Sequence, residues 1–168
     1  MIAKRKGTSV NSSSVRTRTA GPSNKGKILV VDDQEPIREI IGAILKSAGY
    51  ECRTAADGVE AVDLLDSGKK FDLLLCNLMM PRLDGLGVLE QTKIKHPDMP
   101  FVLHTAVHDI SVALAALRNG AYDYLLVPFE REQLIAVVNR ALEYRSLKIE
   151  NRLLRERLTS RADRKSTR

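Results

Sequence analysis

The chain has 168 residues, 43% of them hydrophobic, 4% aromatic and none tryptophan, which suits one aliphatic-cored domain with tails. No apolar run approaches the roughly 18 residues of a membrane span, and the basic, Ser-rich N-terminus lacks the apolar segment of a secretory signal. The net charge of +6 divides unevenly: residues 1–27 hold seven Lys or Arg and no acid, residues 159–168 hold four and one, and the body between them is acidic.

Residues 1–26 are therefore expected to be a disordered basic arm, and 159–168 a disordered basic tail, too polar to form a core. Lys27-Ile28-Leu29-Val30-Val31 reads as a buried strand ending in Asp32-Asp33. A helix follows, with Pro36 in its first turn, an apolar stripe at Ile37, Ile40, Ile41, Ile44 and Leu45, and Gly49 at its end. Tyr50–Ala55 is a second strand, and Asp57 caps a helix carrying Val59, Val62, Leu64 and Leu65. Asp72–Asn77 is a third strand, apolar on both faces, that delivers one amide to a loop marked by Pro81 and Asp84-Gly85. A helix around Leu86–Ile94 leads to the strand Phe101–His104, which terminates at Thr105. The pattern continues with a helix from about Asp109 to Asn119, a strand at Tyr122–Leu126 and a long helix from near Glu130. Cys52 and Cys76 lie within apolar segments and are expected to be reduced thiols of a cytoplasmic protein.

Five strands alternating with five helices predict an α/β domain over 27–143 with a doubly wound parallel sheet. In such sheets ligands bind outside the carboxyl ends of the strands. The residues gathered there are Asp32, Asp33, Asn77, Thr105 and Val127.

These segments (ILVVDD at 28–33, TAADGVEAV at 54–62, NLMMPRLDG at 77–85, HTA at 104–106 and GAYDYLLVPF at 120–129) resemble the receiver domain of two-component response regulators. The resemblance implies a flavodoxin-like fold of sheet order 2-1-3-4-5 and transfer of a phosphoryl group from a histidine kinase to an aspartate after the third strand. It also implies Mg²⁺ held by that aspartate, the acidic pair after the first strand and a nearby backbone carbonyl. A Thr or Ser after the fourth strand and a Lys before the Pro-Phe after the fifth would bind the phosphoryl oxygens.

Against that pattern Asn77 stands at the phosphoacceptor position and Val127 at the lysine position, while Asp32, Asp33 and Thr105 match. An amide is a far poorer nucleophile than a carboxylate, and valine supplies no positive charge to the developing oxygens. The acidic pair retains at most a weak Mg²⁺ site. The paired replacement favours a natural pseudo-receiver over a single inactivating change. Tyr124, at the place of the family's switch aromatic, is either that switch or a cover for the sheet edge. His104 reads as a strand-end histidine with a satisfied hydrogen bond, and His96 and His108 as surface residues. No Ser/His/Asp constellation or phosphate loop is found, so no catalytic residue is assigned and the protein is expected not to be an enzyme.

Past Glu143 the apolar spacing becomes a heptad, with core positions Tyr144, Leu147, Asn151, Leu154 and Leu158 over a coiled-coil extension at 144–158. Flanking charges, Glu143 with Lys148 and Glu150 with Arg155, fit a parallel homodimer. The expected function is that of a stand-alone receiver in two-component signalling that works by protein contact without phosphorylation, its partner a histidine kinase or another signalling protein. The alternatives are a receiver using another phosphoacceptor, and a nucleic-acid-associated protein acting through its basic arms.

Overall fold

A computed structural model describes residues 24–166. The elements run in strict alternation: β1 (Lys27–Val31), α1 (Glu35–Ser47), β2 (Glu51–Ala55), α2 (Gly58–Asp66), β3 (Leu73–Asn77) and α3 (Gly85–Lys95). They continue with β4 (Phe101–Ala106), a 3₁₀ turn (Val107–Asp109), α4 (Ile110–Arg118), β5 (Asp123–Val127) and α5 (Arg131–Lys165). All strand pairs are parallel and the order is β2-β1-β3-β4-β5, as the sequence predicted.

Local chemistry explains most boundaries. Pro36 sits in the first turn of α1, where its missing N–H costs nothing. Asp57 caps α2 by accepting from Glu60 N at 2.9 Å, and Asp84 caps α3 by accepting from Gly87 N at 2.9 Å. Glu130 and Gln133 form a reciprocal capping box at the start of α5. Gly49 and Gly120 follow α1 and α4 at φ of 97° and 103°, left-handed conformations that glycine adopts without a Cβ clash.

The sheet separates two apolar layers. On one face Leu29, Val31, Leu74, Cys76, Phe101 and Leu103 pack under α2, α3 and α4. On the other, Ile28, Val30, Leu73, Leu75 and Val102 pack under α1 and α5, which contribute Ile41, Leu45, Leu134, Val137 and Val138. Strands covered on both sides need no polar alternation, which is why β1 and β3 read as continuous apolar runs. Cys76 is fully buried and Cys52 half-buried; burial pushes both thiols up, Cys52 to about 11, and both are free.

The last helix departs from expectation. It runs 35 residues without a break, so 159–165, read as part of a disordered tail, are helical. Backbone hydrogen bonds continue through this polar stretch, and Arg152 and Glu156 lie 4.0 Å apart across one turn. Of the predicted N-terminal arm, 1–23 lie outside the described residues. Beyond Leu142 the helix passes the end of the sheet opposite Asp32 and is clamped there. Arg145 pairs with Asp72 at 3.3 Å, Lys148 donates to the Pro97 carbonyl at 3.0 Å, and Arg152 pairs with Asp98. Tyr144 packs its ring 5.1 Å from that of Tyr122. From Leu147 onward the heptad leucines are exposed, Leu147 by 58%, Leu154 by 50% and Leu158 by 66%. Among the described residues no helix is long and apolar enough to cross a membrane.

Candidate functional site

The carboxyl ends of β1, β3 and β4 converge because the central strands are short and in register. Asn77 pairs with His104, and Val31 pairs with Cys76, so Asp32, Asn77 and His104 follow one another across the sheet. Alternation along each strand puts these three on the α1/α5 side. Asp32 is 2% exposed, whereas Asp33 is exposed and Asn77 half-buried.

Every one of these side chains is engaged. Asp32 Oδ1 accepts from Gln34 N at 2.8 Å, and its Oδ2 lies 2.6 Å from His104 Nε2. Burial alone pushes the Asp32 carboxyl up; the His104 and Gln34 hydrogen bonds, with the charge of His104 and a contact from Asp33, outweigh it and hold the group below its ordinary value. The backbone carbonyl of Asp32 accepts from Arg38 Nη1 at 2.6 Å. The Asn77 amide nitrogen lies between two oxygens, donating to Asp33 Oδ1 at 3.3 Å and to the Met79 carbonyl at 3.1 Å.

The loop after β3 is held close. A Cβ on Gly85 would meet the Asn77 carbonyl oxygen at 2.7 Å and Leu78 Cα at 2.9 Å, so only glycine lets α3 start this near the site. Arg82, at a φ of 68°, pairs with the buried carboxylate of Asp57 and ties the loop to α2.

Thr105 is buried on the opposite face from His104, and its hydroxyl has no partner among the described residues. Val127 is the last residue of β5, paired with Ala106, rather than the residue after the strand. Tyr124 is half-buried against the apolar layer of the α2/α3/α4 face. His108 is exposed beside Asp109, whereas His96 is half-buried at the far end of the sheet. His104 carries more than a strand-end histidine's ordinary hydrogen bond. Its Nε2 has the expected hydrogen bond, but the partner is Asp32, and its buried Nδ1 has no partner among the described residues. The available signal was the alternation itself, which sets His104 on the face opposite Thr105.

The response regulator receiver domain model matches residues 28–139. The chain belongs to this family. The response regulator receiver is related to the DNA-binding transcriptional regulator NtrC of Escherichia coli K12, 39% identical over 120 residues that cover 71% of this chain and 25% of that protein. A putative NtrX-like response regulator of Rickettsia bellii is 35% identical over 138 residues, covering 81% of this chain and 29% of that protein. The chain thus spans about a quarter of the length of these curated relatives. Among solved structures, NtrX from Brucella abortus superposes with a TM-score of 0.74 at 38% identity, covering 79% of this chain and 30% of that one. The isolated receiver domain of the same NtrX matches over 98% of its length, with a TM-score of 0.66 and 39% identity.

The Mg²⁺ that the family implies does not fit the residues present. A small divalent ion requires a near-octahedral set of oxygens, several of them anionic. Here one candidate ligand is an amide whose nitrogen faces the other oxygens, and the buried carboxylate has both oxygens committed to N–H groups. Among the described residues no group of three or more His, Cys, Asp or Glu is arranged to hold a metal.

Proposed function

We propose that this receiver signals by protein contact without aspartyl phosphorylation and without catalysis of its own, and that it pairs with a second copy through α5. The observation that carries the first part is the Asn77 side chain, whose nitrogen points into the acidic pocket between Asp33 and Met79. An acceptor must present an anionic oxygen to phosphorus, and an amide so held presents N–H. Val127, apolar at the end of β5, supplies no cation for the transferred oxygens. The second part is supported by the exposed stripe Leu147, Leu154 and Leu158, interrupted at the heptad position of Asn151, with Glu150 and Arg155 flanking it. Histidine kinases or other two-component proteins are the partners consistent with the family.

Intact mass after incubation with a small-molecule phosphodonor and Mg²⁺ tests this reading. The native chain is expected to keep its mass, and Asn77→Asp/Val127→Lys to gain one phosphoryl group. A phosphoryl gain by the native chain would refute it and require the acceptor to be mapped.

A further inference from the structure

We propose that His104 and Asn77 together act as a built-in substitute for the receiver's cation, with His104 deciding what the acidic pocket can take. This deepens the reading above and rests on it, because a pocket that needs no phosphate has no need of the metal that accompanies it. An ionised Asp32 can only accept hydrogen bonds, so His104 Nε2 carries the hydrogen that joins them at 2.6 Å. His104 is 1% exposed and enters from β4, directly across from Asn77 in register. The ring therefore lies within the pocket wall against Asp32 Oδ2, so a cation approaching that oxygen meets an N–H already bonded to it. The Asn77 nitrogen does the same for the outer oxygens, joining Asp33 to the Met79 carbonyl.

Two side-chain N–H donors thus hold three oxygens that a hard cation would otherwise draw together. Displacing them carries a specific penalty. His104 Nδ1 already has no partner among the described residues, so a ring released from Asp32 would have both nitrogens buried and unpaired. Restoring the carboxylate at position 77 then restores only weak metal binding, because Asp32 keeps its bond to His104.

Mn²⁺ titration followed by electron paramagnetic resonance, at fixed pH, tests this in the native chain, Asn77→Asp, His104→Leu and Asn77→Asp/His104→Leu. The native chain is expected to show no saturable site at low millimolar Mn²⁺, and Asn77→Asp a weak one. Removing His104 from Asn77→Asp should tighten binding by about tenfold or more, because the ion then leaves no buried N–H unpaired. His104→Gln in the same background keeps a neutral N–H on Asp32 and should leave binding weak. Equal affinity in Asn77→Asp and Asn77→Asp/His104→Leu, or tight binding by the native chain, overturns the proposal. Should His104→Leu not fold, the imidazole ¹⁵N resonances of Asn77→Asp decide. Saturating Mg²⁺ must then shift His104 Nε2, and an unmoved resonance refutes the inference. Phosphoryl transfer enters none of these readouts, so the two proposals can fail separately.

Discussion

Replacing His104 by leucine isolates the energetics of the pocket. Leucine fills similar space but removes the only side-chain N–H bonded to Asp32 among the described residues, leaving a carboxylate that is 2% exposed with the backbone donor Gln34 N. Removing the partner of a buried carboxylate costs roughly 3–5 kcal/mol, because the remaining charge is neither solvated nor paired. The surviving Gln34 bond sets the expectation at the lower end, about 3 kcal/mol. For a chain of this size that corresponds to roughly 6–12 °C in Tm. The pH dependence carries the sign. In the native chain Asp32 titrates below its ordinary value, so its contribution to stability is complete above an unfolded pKa near ~3.9 and is lost as pH falls through the folded value. In the leucine variant only burial and one hydrogen bond remain, the folded pKa moves up, and the variant should recover stability relative to the native chain as pH falls from 7 towards 5. Asp32→Asn/His104→Leu should regain at least half of the loss, since the unpaired charge is gone. Urea denaturation at several pH values measures all three. A loss below about 1 kcal/mol at pH 7, or no recovery in the double variant, would mean that the His104–Asp32 contact is not a buried charge-assisted pair.

Gly85→Ala should destabilise the domain by about 1–3 kcal/mol, because the added methyl meets backbone at Asn77 and Leu78 rather than a movable side chain; thermal denaturation reads it, and a loss under a few tenths would refute the close approach of α3. On the proposed pairing through α5, the native chain should sediment as a dimer and Leu147→Glu/Leu154→Glu as a monomer, while the melting of the sheet domain stays within about 1 kcal/mol, both leucines being exposed on it. Asn151→Val should tighten the proposed dimer and relax its two-strandedness, as expected when a polar residue leaves a coil core position; sedimentation equilibrium reads both.

Much of this protein follows from local rules that the sequence states openly. Apolar runs of four residues mark β1 and β3, Asp57 and Asp84 announce their helices as caps, and alternation with helices points to a parallel sheet. Those constraints act over a few residues, so they survive reading one residue at a time, and the receiver motifs then name the pocket. Two features lie beyond that reach. Ser, Thr and Arg from 159 onward suggest a tail, while in the structure α5 propagates to Lys165, each added residue gaining one hydrogen bond once the turn before it exists. Its clamp on Asp72, Pro97 and Asp98 joins residues more than fifty positions apart. The partnership of His104 with Asp32, 72 residues away, depends on β3 lying between their strands and on both side chains emerging on one face. Residue types alone could say that an acidic pair and a strand-end histidine exist; only the packed sheet brings one within 2.6 Å of the other, where burial makes the contact decisive.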